Sequence, residues 1–132
     1  MESPAVPSKP VLLMAEDETI TAGIVKFVLS RAGYAVIHAE DGRRMHDLVN
    51  NLAPPDIVLL DMMLPFFSGL QLLAHIRGKP EWAHVPVVML TANGAERDMQ
   101  LALQSGAQDY ILKPFNPREL TTRLQRFVKQ VA

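Results

Sequence analysis

The sequence predicts an α/β protein, a five-stranded parallel sheet with helices on both faces. Three observations carry this. Short apolar runs recur without alternating polar residues, as in strands covered on both sides. Segments with helical apolar spacing lie between the runs. The two kinds alternate five times, and strict alternation of strand and helix implies parallel crossovers.

The strands are expected at Val11–Met14, Ala35–Ile37, Ile57–Leu60, Val85–Leu90 and, more weakly, Tyr110–Leu112. The first helix reads from the stripe Ile20, Ile24, Phe27 and Val28, the second from Met45, Leu48, Val49 and Leu52. Leu70, Leu73, Ala74 and Arg77 give the third, and Met99, Ala102 and Leu103 the fourth. Leu120, Leu124, Phe127, Val128 and Val131 give the fifth. Gly33, Gly42, Pro54-Pro55, Gly78, Gly94, Gly106 and Pro114 punctuate the order. Asn116-Pro117 reads as a helix cap followed by proline at the first helical position, and Ser68-Gly69 as a turn and cap.

Length and composition suit one domain over residues 10–132, preceded by a flexible leader at 1–9. The leader lacks the charge and apolar run of a signal peptide, and no apolar run is long enough for a membrane span. With no cysteine, disulfides and thiolate metal sites are excluded, which fits a cytoplasmic protein. Basic and acidic residues are interspersed at a net charge of -1, so no direct nucleic-acid partner is expected. The four histidines have no metal-ligand spacing, and no G-x-G-x-x-G follows the first strand.

In parallel sheets of this kind the functional crevice lies outside the carboxyl ends of the strands. Glu16, Asp17 and Glu18 follow the first strand, Asp61 the third, Thr91 the fourth and Lys113 the fifth. Singly, each has an ordinary reading: a helix start, a cap, a strand-end turn, a solvated charge. Together they converge on one edge.

The segments "AEDE", "LLDMMLPFFSG", "MLTA" and "DYILKPF", in this order, resemble the receiver domain of two-component response regulators over about residues 10–131. The resemblance implies a flavodoxin-like (βα)5 fold with strand order 2-1-3-4-5. It implies that Asp61 takes a phosphoryl group from a phosphohistidine of a histidine kinase or phosphotransfer protein. Mg²⁺ would be held by Asp17, Asp61 and the Met63 carbonyl, with Glu16 holding metal-bound water; many receivers carry Asp at the Glu16 position. Lys113 and Thr91 would contact phosphoryl oxygens. Tyr110 would be a switch aromatic acting on a downstream protein through the face of the fourth helix, fifth strand and fifth helix. Met63 and Asn93 would flank the path of attacking water, Met63 shielding it. The domain would catalyse its own phosphotransfer and dephosphorylation without being an enzyme in the usual sense. A stand-alone receiver signalling by protein contact is the expectation, since the chain starts at Met1 and stops just after the fifth helix. The alternatives are the receiver part of a longer transcription factor or hybrid kinase, and a flavodoxin-like small-ligand binder.

Overall fold

The computed structural model describes residues 9–92 and 96–128. Most of the expected leader, Asn93 and Val131 lie outside the described residues. Strands β1 (Val11–Ala15), β2 (Ala35–Ala39), β3 (Ile57–Asp61), β4 (Val87–Ala92) and β5 (Asp109–Lys113) form one sheet in the order β2-β1-β3-β4-β5. All four pairings are parallel. Helices α1 (Thr19–Arg31), α2 (Gly42–Asn51), α3 (Gly69–Arg77), α4 (Glu96–Gln104) and α5 (Pro117–Gln125) connect and follow them.

Two apolar clusters cover the two faces of the sheet, as the uninterrupted apolar strands require. On one, Val25 and Leu29 of α1 join Leu120 and Leu124 of α5 over Leu12, Met14, Leu59 and Leu90. On the other, Met45, Val49, Leu72, Ile76 and Trp82 cover Leu13, Val58, Leu60 and Met89.

The structure corrects several expected faces. Ile20 and Phe27 are 74% and 65% exposed, and Ile24 is exposed too. The buried face of α1 is instead Ala22, Val25 and Leu29, because small Ala22 lets the helix approach the sheet closely. In α3 the buried residues are Leu72, Leu73 and Ile76, while Ala74 faces water. Leu52 and Leu103 are exposed at helix ends. Strand β4 starts at Val87 rather than Val85, since Pro86 has no N–H for the ladder. Phe127 and Val128 follow the end of α5 rather than continuing it.

Caps agree with expectation. The Asn116 side chain accepts from Glu119 N at 2.7 Å, and Ser68 and Gln71 form a reciprocal capping box. Gly69 is needed where α3 meets the end of β3. A Cβ there would crowd Met62 Cα at 2.9 Å and strike the Asp61 carbonyl. A short 3-10 turn at Pro80–Trp82 was not foreseen. Beside it, Arg77 ties distant loops together. Its Nε and Nη2 donate to Gly106 O at 3.0 and 2.8 Å, and Nη2 donates to Gln108 Oε1 at 3.0 Å. Its Nη1 donates to Trp82 O at 3.3 Å.

Candidate functional site

The carboxyl ends of β1, β3, β4 and β5 open onto a cleft of about 450 Å³ lined by Asp17, Asp61, Met63, Thr91 and Lys113, among others. Each strand register delivers one polar residue after a buried apolar run. Asp61 closes β3 and pairs with Leu90; Thr91 and Lys113 sit near the ends of β4 and β5. These three residues belong to the strands rather than following them, and Asp61 is buried, only 6% exposed.

Lys113 Nζ is the centre of the cluster. It lies 3.0 Å from Glu16 Oε1 and 3.2 Å from Asp61 Oδ2. The other Asp61 oxygen, Oδ1, accepts from Met63 N at 3.3 Å. Glu16 is fully buried, its backbone held by Ala39 O at 3.1 Å and by His38 Nε2, which donates to Glu16 O at 2.7 Å. Burial first, then the hydrogen bond to Asp61, push the Glu16 carboxyl up to about 7. Burial works against the Lys113 ammonium, but the Glu16 hydrogen bond and the two neighbouring carboxylates outweigh it, and its pKa is raised. Thr91 Oγ1 is buried with no hydrogen-bond partner among the described residues.

Glu16, Asp17 and Asp61 each offer a carboxylate oxygen, all within 4.8 Å of one another. The carboxyls of Glu16, Asp17 and Asp61 outnumber the one ammonium of Lys113 beside them. An all-oxygen donor set of this kind fits a hard divalent cation such as Mg²⁺.

Tyr110 lies away from this cluster, half-buried against the core. Its carbonyl accepts from Arg123 Nη1 at 2.9 Å, and Arg123 also pairs with Asp109 at 3.1 Å. Met63 is 77% exposed at the mouth of the cleft. Two features escaped the sequence reading. Phe66 has φ 74, a conformation that no local sequence signal announced. His46 stacks between Phe67 and His75, at 4.6 and 4.2 Å between ring centroids, joining α2 to the β3–α3 loop.

A buried carboxylate, a lysine and an acidic pocket at the switch edge of a 2-1-3-4-5 parallel sheet define a class of signalling domain. The chain belongs to the response regulator receiver domain family, whose profile matches residues 12–125. It is 41% identical over 123 residues to the phosphate regulon transcriptional regulatory protein PhoB of Escherichia coli (strain K12), covering 92% of this chain and 52% of that protein. The PhoB of Pseudomonas aeruginosa is 36% identical over 119 residues, with 90% and 52% covered. The chain thus spans about half the length of the curated relatives it matches. Among solved structures, the chemotaxis response regulator CheY4 of Vibrio cholerae superposes with TM-score 0.85 at 28% identity, covering 91% of this chain and 99% of that one. The receiver domain of sensor histidine kinase PA1611 from Pseudomonas aeruginosa PAO1, solved with magnesium coordinated in its active site cleft, gives 0.83 at 30% identity, covering 92% and 99%. Receiver domains interact with histidine kinases and bind Mg²⁺ through an acidic cluster. No described helix is long and apolar enough to cross a membrane.

Proposed function

We propose that Asp61 is the phosphoacceptor of a cytoplasmic phosphorelay receiver spanning residues 10–132, with 1–9 as its leader. The observation that carries this is the placement of Lys113 Nζ between Asp61 and Glu16 beside Asp17. An Asp61 oxygen forms a bond to phosphorus as the bond from phosphorus to the donor's imidazole nitrogen breaks; that nitrogen keeps the electron pair and takes a proton. Lys113 is within reach to follow charge onto the phosphoryl oxygens, and the Thr91 hydroxyl, which has no partner among the described residues, can donate to one. Asp17, Asp61 and the Met63 carbonyl would hold Mg²⁺, with Glu16 anchoring its water; bound there, the ion supplies charge neutralisation. The residues do little else than position and neutralise, which is most of what phosphoryl transfer needs.

The donor side is supported by the exposed stripe Ile20, Ile24 and Phe27 on α1. Next to it a cleft of about 340 Å³ is lined by Ile24, Lys113 and Phe115. An apolar helix face beside the acceptor suits a helix of a histidine kinase or phosphotransfer protein. On the output side, movement of Thr91 toward the phosphoryl group and of Tyr110 inward would alter the α4–β5–α5 face for a downstream protein. This domain itself then signals by protein contact. A second reading, the receiver part of a longer transcriptional regulator, draws on relatives of about twice the matched length. Incubation with Mg²⁺ and acetyl phosphate, then intact mass and peptide mapping, tests the proposal. An adduct on any residue but Asp61, or none, rejects it.

A further inference from the structure

Phe66 holds its backbone at φ 74, in the left-handed region where a bulky residue is an outlier and glycine is at ease. Burial does not repay this, since the ring is 61% exposed. Beneath it lies Arg43 of α2, its guanidinium carbon 4.0 Å from the ring centroid. The loop is firmly held from the same side. Gly42 N donates to Pro65 O at 3.0 Å, and the Phe67 ring stacks on His46. A Cβ on Gly42 would come within 2.6 Å of Phe67 N, so loop and helix meet backbone to backbone. Met63, three residues earlier on the same loop, is also exposed and lines the acidic cleft. Neither Arg43 nor Arg44 has an ion-pair partner among the described residues. Strain kept at an exposed side chain on a rigid loop points to use rather than packing.

We propose that Phe66, backed by Arg43, is a recognition knob for the phosphodonor protein. It would take an amphipathic segment that sets an apolar side chain against Phe66 and Met63 and carboxylates toward Arg43 and Arg44. The loop that carries Phe66 leaves β3 at Asp61 and lines the acidic cleft through Met63, which assigns it to the donor rather than to a downstream target. The inference rests on the phosphoacceptor reading above.

The test uses the full chain and Phe66→Gly, which removes the ring while suiting the loop backbone, with Arg43→Glu as a second variant. Phosphorylation by acetyl phosphate with Mg²⁺ is compared with transfer from the histidine kinases of the same genome, each autophosphorylated with ATP. Phe66→Gly is expected to melt at or above the parent temperature and to match the parent with acetyl phosphate. Its transfer from the kinase that serves the parent fastest is expected to fall about tenfold, and Arg43→Glu is expected to slow that transfer too. Parent-like transfer in Phe66→Gly, or a lower melting temperature, overturns the proposal. So does failure of every kinase to serve the parent. A parent dimer in sedimentation that Phe66→Gly abolishes gives the knob to a second copy and overturns the donor assignment. Failure of acetyl phosphate to label the parent on Asp61 rejects the phosphoacceptor reading instead.

Discussion

Lys113 Nζ donates to both carboxylate oxygens of Glu16, at 3.0 and 3.1 Å. The pair joins the two ends of the sheet's functional edge, yet it leaves the Glu16 carboxyl at about 7, above its ordinary 4.5, because burial and Asp61 outweigh the lysine. The folded, metal-free protein therefore keeps a proton that the unfolded chain releases above about pH 4.5. This contribution is full below 4.5, is lost as pH rises toward 7 and is level beyond. In urea titrations with chelator from pH 4.5 to 8, Glu16→Gln is expected to remove that fall relative to the parent. A parent whose stability rises across the window more than the variant's contradicts the assignment. Mg²⁺ is expected to expel the proton, so calorimetry near pH 6 in buffers of different ionisation enthalpy reads proton release.

Asp61→Asn keeps the side-chain shape without the nucleophile. It is expected to remain folded, within about 1 kcal/mol of the parent in denaturant unfolding, and to give no phosphoryl adduct by intact mass. Asp17→Asn is expected to fold equally well and to bind Mg²⁺ about tenfold more weakly, since one charged oxygen ligand is lost. Retained labelling of Asp61→Asn at the parent's site pattern rules out this phosphosite.

Thr91 Oγ1 is buried without a partner among the described residues. Replacing it with valine removes an unsatisfied hydroxyl at nearly constant volume. Thr91→Val is expected to stabilise the unphosphorylated protein by about 1 kcal/mol. It is also expected to confine the NMR shifts caused by beryllofluoride to the acidic pocket. In the parent those shifts are expected to reach Tyr110 and α4. Equal propagation in both proteins eliminates Thr91 as the relay.

Met63 stands 77% exposed at the cleft mouth, without the burial that packing on Phe66 or Phe67 would give. Its side chain offers an attacking water bulk and only a weak acceptor. Met63→Asn is expected to speed loss of the phosphoryl group several-fold in excess Mg²⁺ without any partner, as an amide there can orient a water. An unchanged or slower rate leaves the Met63 carbonyl as that residue's functional group.

The strands were legible because uninterrupted apolar runs have one physical reading once helices cover both faces. Asp61, Thr91 and Lys113 could be placed on one edge from alternation alone; their roles came from the resemblance. The face of α1 was misread because two apolar stripes compete on that helix. Choosing between Ile20–Ile24–Phe27 and Ala22–Val25–Leu29 depends on how closely it approaches the sheet. The strain at Phe66 was illegible for a related reason. Phe66 sits at the centre of a tight turn closed by Phe67 N donating to Pro65 O at 2.9 Å, and that turn is docked on α2, more than 20 residues earlier in the chain, so a bulky residue gave no local sign of it.

The arginine that ties the loops far from the cleft gives α4 a fulcrum. Arg77 clamps Gly106 and Gln108, just past the last turn of α4, to α3 and the Trp82 turn. In the proposed switch, Thr91 would push at the opposite end of the helix. With one end pinned, α4 would turn about Ser105–Gly106 like a lever rather than slide along the sheet. Its largest excursion would then fall near Glu96, while the turn leading into β5 would stay in register.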